Sequence, residues 1–271
     1  MQFVKYHAAG NDYLVYHDTT PFDCSTQAIS LVCDRHRGLG SDGILVPLIA
    51  QGEMLSVRIF NTDGSEAEKS GNGLRILCRY LWDRGIVAHE PFELATKGGM
   101  VHCQVLDNGR RISIAMGKAV FPKTERHSVE IDGMQLHLNP VSMGNPHCVL
   151  FVDQATETLA RRFGPIIEHL SLFPNRTNVQ FVRVIDRRNL MVQIWERGVG
   201  FTQSSGTSSC AAAAVSRRLG LVDDQVTVHM PGGQITIELD DENNVLMQGP
   251  VCKVGLYSLD KECLAQLDEM F

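Results

Sequence analysis

The feature that most constrains this chain is a 31-residue segment that occurs twice, at residues 57–87 and again at 192–222. Each copy begins with alternating apolar residues, which predict a β-strand, and continues through a polar, glycine-rich loop to a Ser-Gly pair. A helical pattern then follows and ends fifteen residues after the serine, at Gly85 or Gly220. Since serine is favoured as a helix N-cap and glycine just after a helix end, each copy predicts a strand, a loop and a capped helix.

The repeat extends beyond this segment. A Gly-Asn pair precedes Ser70 by 60 residues and Ser205 by 61, at Gly10 and Gly144 respectively. In both halves a helical pattern lies in between, and a Gly-Gly pair that indicates a hairpin follows the Ser-Gly helix. Runs with a period of two, such as 111–115 and 234–239, predict antiparallel strands. We therefore predict a tandem duplication of a strand-rich α+β domain with one central helix.

The same pattern suggests where the domains begin and end. The alternation breaks at residues 118–126, which predicts the boundary there. The last twenty residues are expected to return to the first domain as an extra strand and a terminal helix. The predicted domains are 1–118 plus 252–271 for the first and 119–251 for the second.

Composition excludes several classes of function. The formal net charge of −6 offers no basic surface for nucleic acid or an anionic membrane. No apolar run approaches the roughly 18 residues that a membrane span needs, so we expect a cytoplasmic protein. Eight cysteines and ten histidines show no CxxC pair, HExxH motif or zinc-ligand spacing. We expect reduced, mostly buried thiols and no metal.

The duplicated Ser-Gly pairs allow two interpretations. Taken singly, Ser70 and Ser205 are ordinary N-caps and the glycines after them relieve crowding. If the halves are related by an approximate two-fold axis, however, both helix N-termini point at one interdomain cleft. Their unpaired N–H groups and dipoles would then form a site for an anion such as a carboxylate.

Several motifs give the chain a resemblance to the diaminopimelate epimerase family over essentially its whole length. They are Gly10-Asn11-Asp12-Tyr13, Phe60-Asn61-Thr62-Asp63-Gly64-Ser65, Gly71-Asn72-Gly73, Ser142-Met143-Gly144-Asn145-Pro146-His147, Glu196-Arg197-Gly198 and Pro231-Gly232-Gly233. The resemblance implies two pseudo-symmetric domains, each a barrel-like sheet around a central helix, with the active site in the interdomain cleft. It also implies epimerisation of LL-diaminopimelate to the meso form in lysine biosynthesis, by a two-base mechanism without pyridoxal phosphate or any other cofactor. The implied partners are a small amino-acid substrate and, in a homodimer, a second copy of the chain.

The chain departs from this family at the two catalytic positions, where the family has cysteines and this sequence has Ser70 and Ser205. A helix N-terminus can lower a thiol pKa to roughly 3.5–7.5, so that thiol and thiolate are both available, whereas a serine hydroxyl is a far weaker acid. We therefore expect substrate binding with little or no turnover. Two explanations remain open: deliberate substitution to trap a ligand, or a natural serine variant. Cys78 and Cys210 lie inside the helical patterns and are expected to pack rather than to act as nucleophiles.

The resemblance also implies roles for other residues. The polar residues expected to assist proton movement are His147 and Glu196, and an imidazole that titrates near neutrality is a plausible shuttle. The backbone N–H groups expected to hold the α-carboxylate are those of Gly71, Asn72, Gly206 and Thr207. The side chains expected to contact the amino groups and the distal carboxylate of the substrate are Asn11, Asn61, Asn145, Asn178 and Arg197.

Two further departures bear on the substrate. The family commonly has glutamine at Gly43 and glutamate at Phe201, and the phenylalanine adds apolar bulk before the second Ser-Gly helix. A racemase of another amino acid and a non-catalytic amino-acid-binding protein are therefore alternatives. A pyridoxal-phosphate racemase using Lys69 has little support, because the repeat provides no phosphate site beyond the helix ends. The glycine-rich loops at 38–43 and 198–206 are the segments expected to move when the domains close.

Overall fold

The computed structural model describes residues 1–49, 54–122 and 127–269. It divides into two compact units, here called the first unit (Met1–Ile114 with Pro250–Phe271) and the second unit (Ala115–Gly249). The boundary predicted at 118–126 includes residues 123–126, which lie outside the described part of the chain.

The secondary structure consists of eighteen strands and five α-helices in the described residues. The elements up to the middle of the chain are β1 (Gln2–Ala8), β2 (Asn11–Tyr16), α1 (Thr26–Cys33), β3 (Gly43–Leu48), β4 (Ser56–Asn61), β5 (Glu66–Ala67), α2 (Gly71–Asp83), β6 (Phe92–Thr96), β7 (Gly99–Leu106) and β8 (Arg111–Lys118). Those that follow are β9 (His127–Ile131), β10 (Met134–Ser142), β11 (Pro146–Phe151), α3 (Glu157–Glu168), β12 (Asn178–Asp186), β13 (Asn189–Glu196), β14 (Gly200–Thr202), α4 (Gly206–Arg218), β15 (Gln225–Met230), β16 (Gly233–Leu239), β17 (Asn244–Pro250), β18 (Cys252–Ser258) and α5 (Lys261–Glu269).

The first unit is a mixed sheet. Strands β1 and β2, β3 and β4, β6 and β7, and β7 and β8 pair antiparallel. By contrast, β2 pairs parallel with β3, and β4 with β6. The antiparallel prediction was therefore incomplete, because parallel neighbours need a crossover connection, which α1 and α2 provide here. After Cys252 the chain forms β18, which pairs antiparallel with β1, and then α5.

The second unit repeats this arrangement strand for strand. Strand β10 pairs antiparallel with β11, β11 parallel with β12, and β12 antiparallel with β13. The parallel pair β13 and β15 and the antiparallel pair β15 and β16 complete the correspondence. Here α3 and α4 make the two crossovers. The predicted duplication is thus confirmed in the strand pairing.

The two central helices begin and end as the sequence predicts. The hydroxyl of Ser70 accepts a hydrogen bond from the Gly73 N–H at the start of α2, and the Ser205 hydroxyl accepts one from the Ser208 N–H at the start of α4. Just beyond each helix, Gly85 and Gly220 have φ values of +65° and +71°. These are left-handed conformations in which glycine carries no Cβ penalty.

The sheet of each unit curves around its central helix. Helix α2 contacts β1, β2 and β3 as well as β7, and α4 contacts strands from β10 to β16. Residues 71–78 of α2 and 208–216 of α4 are all buried. A helix buried on every side lies in the middle of a core, so the prediction of a barrel-like sheet around a central helix is confirmed.

A second apolar layer lies on the opposite face of each sheet. In the first unit, Ile29 and Val32 of α1 pack with Leu14 of β2, and in the second unit Phe163 of α3 packs with Phe181 of β12. The side chains on β2 therefore alternate, with Leu14 directed towards α1 and Tyr13 on the other face, the face of α2. No helix in the described part of the chain has the length and hydropathy needed to cross a bilayer.

Each of the two loops expected to move contacts a neighbouring element, and their movement stays a prediction. In the first, a Cβ on Gly38 would lie 1.9 Å from the carbonyl oxygen of Leu31, so this loop runs directly against α1. The second loop contains β14, which pairs with β13.

Candidate functional site

In the first unit, the candidate site is built at the N-terminus of α2. The Ser70 Oγ lies 3.1 Å from the Gly73 N–H that it caps and 3.2 Å from the Tyr13 hydroxyl. Helix geometry leaves the N–H groups of Gly71 and Asn72 without intrahelical acceptors. This helix start therefore offers N–H donors and the positive end of the helix dipole to an anion.

A chain of hydrogen bonds orients the two asparagines of this unit. Asn11 Nδ2 donates to Asp42 Oδ2 at 2.7 Å, and Asn72 Nδ2 donates to Asn11 Oδ1 at 3.0 Å. Arg75, which is fully buried, donates to Asn72 Oδ1 at 2.7 Å, and Arg35 donates to Asp42 at 2.8 Å. Both amide orientations follow from this chain, since each asparagine accepts at its oxygen and donates at its nitrogen.

Asn61 has a turn function in this structure. It is exposed at the end of β4, and its Nδ2 donates to the Ser65 hydroxyl at 2.9 Å. The Ser65 carbonyl accepts from the Asn61 backbone N–H at 2.9 Å. The side chain thus closes the loop that leads from β4 towards Ser70.

In the second unit, the start of α4 is the counterpart of the α2 site. Ser205 is 5% exposed, and its Oγ lies 3.4 Å from the Ser208 N–H and 3.5 Å from the Thr207 hydroxyl. Gly206 and Thr207 occupy the positions that Gly71 and Asn72 occupy in the first unit. The same set of main-chain donors is therefore present twice.

His147 is held as a neutral imidazole rather than as a group that titrates near neutrality. It is 1% exposed, and burial lowers its pKa to about 3. The Gln180 Nε2 donates to its Nδ1 at 3.1 Å, so the ring proton is assigned to Nε2, which donates to Asn145 Oδ1 at 2.9 Å. Burial and two uncharged hydrogen-bond partners favour the neutral imidazole, and a role of His147 in proton movement stays a prediction.

The segment from Trp195 to Gly198, which carries Glu196 and Arg197, is anchored by buried acceptors. Glu168 is 3% exposed and accepts from Trp195 Nε1 at 2.7 Å and from the Gly198 N–H at 3.0 Å. Glu196 is half-buried at the end of β13.

Asn178 also anchors this segment through its side-chain amide. Its Oδ1 accepts from the Arg197 N–H at 3.0 Å, and its Nδ2 donates to the Pro146 carbonyl at 2.9 Å. The Arg197 guanidinium donates to the Asn175 carbonyl at 3.1 Å. Asn178 therefore connects the start of β11 to the Glu196-Arg197 segment through backbone contacts.

Several residues in these networks were not identified from the sequence, among them Tyr13, Gln180 and Glu168. Gln180 had a signal, because a polar residue at a buried strand position needs a hydrogen-bond partner. Glu168 also had a sequence signal. A carboxylate in the last turn of a helix opposes the helix dipole, so its presence there indicates a separate role. Tyr13 stands within a recognised motif and carried no separate signal.

The two departures noted in the sequence have structural explanations. A Cβ on Gly43 would lie 2.6 Å from Tyr13 Cε1 and 2.4 Å from the Phe60 carbonyl oxygen, so the tyrosine ring fills this space. Phe201 packs against the second unit's core, with the Arg161 guanidinium 4.7 Å from its ring centroid. The side chain of Phe201 is thus directed towards α3, and the effect of its bulk on the loop before Ser205 stays a prediction.

The two cysteines at the centre of the repeat lie inside α2 and α4. Cys78 and Cys210 are fully buried, which confirms their assignment to packing, and burial raises the pKa of the Cys78 thiol. Within the described residues, no three His, Cys, Asp or Glu side chains come together in a way that could hold a metal ion.

Comparison with known proteins agrees with the motifs. The family model for diaminopimelate epimerase matches residues 3–122 and 140–254. A diaminopimelate epimerase 2 from Nostoc sp. is 44% identical, with 98% of each chain covered. A diaminopimelate epimerase from Caldanaerobacter subterraneus is 38% identical, over 94% of this chain and 97% of the relative.

Solved structures of more distant proteins share the fold. A probable proline racemase from Agrobacterium radiobacter has a TM-score of 0.73 at 14% identity, with 96% of this chain and 93% of that chain covered. A PhzF-family phenazine biosynthesis protein from Bacillus anthracis has a TM-score of 0.74 at 16% identity, with 96% and 99% covered. With the duplicated units, the serine-capped central helices and these full-length matches together, the chain belongs to the diaminopimelate epimerase family.

Proposed function

We propose that this chain binds LL-diaminopimelate and epimerises it to the meso form without a cofactor, at a rate limited by its serines. The observation that carries this proposal is the pair of Ser-Gly helix starts at equivalent positions of a duplicated member of this family. The α-carboxylate binds to the N–H groups of Gly71, Asn72, Gly206 and Thr207. A carboxylate at these N–H groups also gains from the positive end of the helix dipole.

The chemistry proposed is proton removal by one group and proton delivery by another, with one group from each half of the chain. Ser70 and Ser205 stand at these two positions, and a hydroxyl supplies a proton or accepts one far less readily than a thiol–thiolate pair. Little turnover is the expected consequence.

The remaining predicted residues support these two groups in the proposal. His147 contributes as a neutral hydrogen-bonding group, and Glu196 as a carboxylate at the end of its strand. Contacts to the amino groups and the distal carboxylate of the substrate are assigned to Asn11, Asn61, Asn145, Asn178 and Arg197. The hydrogen bonds of Asn11 and Asn178 leave each amide one donor and one acceptor position for this purpose.

Restoring thiols tests the proposal. The Ser70→Cys/Ser205→Cys protein and the unaltered chain are incubated with LL-diaminopimelate in D₂O, and loss of the α-proton signal is followed by NMR. We expect exchange and meso product with the double variant, and exchange slower by at least about a hundredfold with the unaltered chain, since a single acid–base group contributes about that much. The single variants provide matched controls that each retain one serine.

Two other functions are outcomes of the same experiment. Exchange with a different amino acid, but none with diaminopimelate, would identify a racemase of that amino acid. Ligand binding without exchange by the double variant would contradict the proposal and identify a binding protein. The homodimer implied by the family resemblance is part of the proposal, and sedimentation velocity at micromolar concentration would refute it by giving a monomer mass.

A further inference from the structure

Tyr13 contacts the group at the first catalytic position. Its hydroxyl lies 3.2 Å from the Ser70 Oγ, although the two residues are 57 positions apart in the chain. The side chain is 6% exposed on β2, on the face directed towards α2. The contact thus joins a strand to the helix start that the proposed function assigns to the α-carboxylate.

The internal repeat gives this position an equivalent in the second unit. Gly10-Asn11-Asp12-Tyr13 aligns with Gly144-Asn145-Pro146-His147, so Tyr13 corresponds to His147. Strand pairing agrees, since Leu14 lies opposite Ile44 on β3 and Cys148 opposite Val179 on β12. A polar side chain therefore occupies the same strand position in each half, next to each serine-capped helix.

Gly43 makes room for the tyrosine. Gly43 does not have a positive φ, so its backbone conformation does not require glycine. Space does require it, because a Cβ there would lie 2.6 Å and 3.1 Å from two carbons of the Tyr13 ring. The nearest atom to this Cβ is the backbone carbonyl oxygen of Phe60, at 2.4 Å. Contacts shorter than 3.0 Å force a shift, so a side chain at position 43 would displace the Tyr13 ring from Ser70, the backbone of β4, or both.

We infer that Tyr13 is a positioning residue for the proton-transferring group at position 70 and that Gly43 is the residue that admits it. This inference rests on the proposed function of position 70. The Gly73 N–H donates to the Ser70 Oγ, and the Tyr13 hydroxyl lies within hydrogen-bond distance of the same atom. Between two hydroxyls either can donate, but an ionised group at position 70 can only accept, so the phenol is then the donor. Two donors stabilise negative charge on this atom, which favours the proton-accepting form of the group.

The two units differ in the hydrogen-bond partners of their capping serines. The Ser205 Oγ accepts from the Ser208 N–H and shares a hydrogen bond with the Thr207 hydroxyl, and both partners lie on α4 itself. Its strand neighbour His147 instead bonds to Gln180, which also donates to the Ser208 hydroxyl at 3.0 Å. A direct strand-to-serine hydrogen bond is thus specific to the first unit among these contacts.

The test titrates a thiol introduced at position 70. In the Ser70→Cys protein, the rate of alkylation by iodoacetamide is measured from pH 5 to pH 10, and the modified peptide is quantified by mass spectrometry so that the native cysteines do not interfere. Adding Tyr13→Phe should raise the pKa of the introduced thiol by about one unit. This value follows from roughly 1.5 kcal/mol for a hydrogen bond to a charged group and 1.36 kcal/mol per pKa unit.

Two comparison variants complete the design. Tyr16→Phe is the matched control, because Tyr16 lies on the same strand, is also 6% exposed and donates to the Thr20 carbonyl instead; it should leave the thiol pKa unchanged. Gly43→Gln, with tyrosine retained at position 13, should raise the pKa as Tyr13→Phe does, by displacing the ring. Far-UV circular dichroism and thermal melting establish that each variant is folded.

The results separate this inference from the proposed function, since alkylation needs no substrate. A thiol pKa that is the same with Tyr13→Phe as with Tyr16→Phe overturns the inference. A shift of about one unit supports it even if the double cysteine protein exchanges no α-proton, in which case the proposed function alone fails.

Discussion

Glu168 is the residue whose replacement should most clearly disturb the segment carrying Glu196 and Arg197. Its Oε2 accepts from Trp195 Nε1 at 2.7 Å and its Oε1 from the Gly198 N–H at 3.0 Å, in a site where the side chain is 4% exposed. The Glu168→Gln variant keeps the shape but turns an NH₂ group towards one of these donors.

The expected loss can be estimated from these contacts. A buried donor left without an acceptor costs about 1–3 kcal/mol, and the lower desolvation cost of the neutral amide offsets part of this. We expect Glu168→Gln to lower the free energy of unfolding by about 2 kcal/mol. Glu168→Leu leaves the Trp195 and Gly198 donors without an acceptor, also removes the ion pair with Arg176, and should cost about 4 kcal/mol.

The assay is urea denaturation followed by tryptophan fluorescence. The chain has two tryptophans, Trp82 and Trp195, so a Trp82→Phe background reports on the second unit alone. Glu157→Gln is the matched control, because Glu157 is on the same helix but pairs with Arg161 at the surface, where both side chains are more than half exposed. A surface ion pair of this kind contributes about 0–1 kcal/mol to the free energy of unfolding.

The comparison of Glu168→Gln with Glu157→Gln tests whether Glu168 anchors the 195–198 segment. If Glu168→Gln costs no more than Glu157→Gln, the hydrogen bonds of Glu168 do not anchor the 195–198 segment and the reasoning is refuted. If it costs about 2 kcal/mol, substrate affinity should fall with it, because the released segment contains Arg197, which the proposed function assigns to the substrate.

The remaining predictions concern His147 and Gly164. Burial lowers the pKa of His147 to about 3 from an ordinary 6.5, so between these values the unfolded chain binds a proton that the folded chain does not. The free energy of unfolding should therefore fall as the pH falls from 6.5 to 3, by up to about 1.4 kcal/mol per pH unit, and His147→Gln should flatten this slope in urea titrations. Gly164→Ala would place a Cβ 2.5 Å from Trp195 Cγ and should lower the free energy of unfolding by about 2 kcal/mol despite the better helix propensity of alanine, as a thermal melt would show. An unchanged pH slope, or an unchanged melting temperature, would contradict the respective prediction.

The starts of α2 and α4 share their main-chain frame but differ in the side chains that surround it. Both begin with a capping serine and two main-chain donors, a set that the duplication preserves. Around Ser70 the nearest strand group is a phenol, whereas near Ser205 the Gln180 amide donates both to the His147 imidazole and to the Ser208 hydroxyl. Equivalent backbones can therefore give the two serines different tendencies to lose a proton.

Much of the architecture could be predicted from the sequence because it depends on local chemistry. Caps at Ser70 and Ser205, the glycines after each helix and the hairpins all act over a few residues, so spacing alone reveals them. The duplication could be read for the same reason, since the local signals recur at nearly constant separation. These local signals determined that there are two central helices, α2 and α4, and where each begins and ends.

Only the tertiary structure decided which distant groups meet. The parallel strand pairs, the Tyr13 contact with Ser70 and the anchoring of Gly198 by Glu168 each join residues separated by 30 or more positions. The low pKa of His147 likewise results from burial, which no spacing in the chain reports. Local sequence thus determined where each helix and strand begins, whereas the environment of each site atom depends on packing between segments that are remote along the chain.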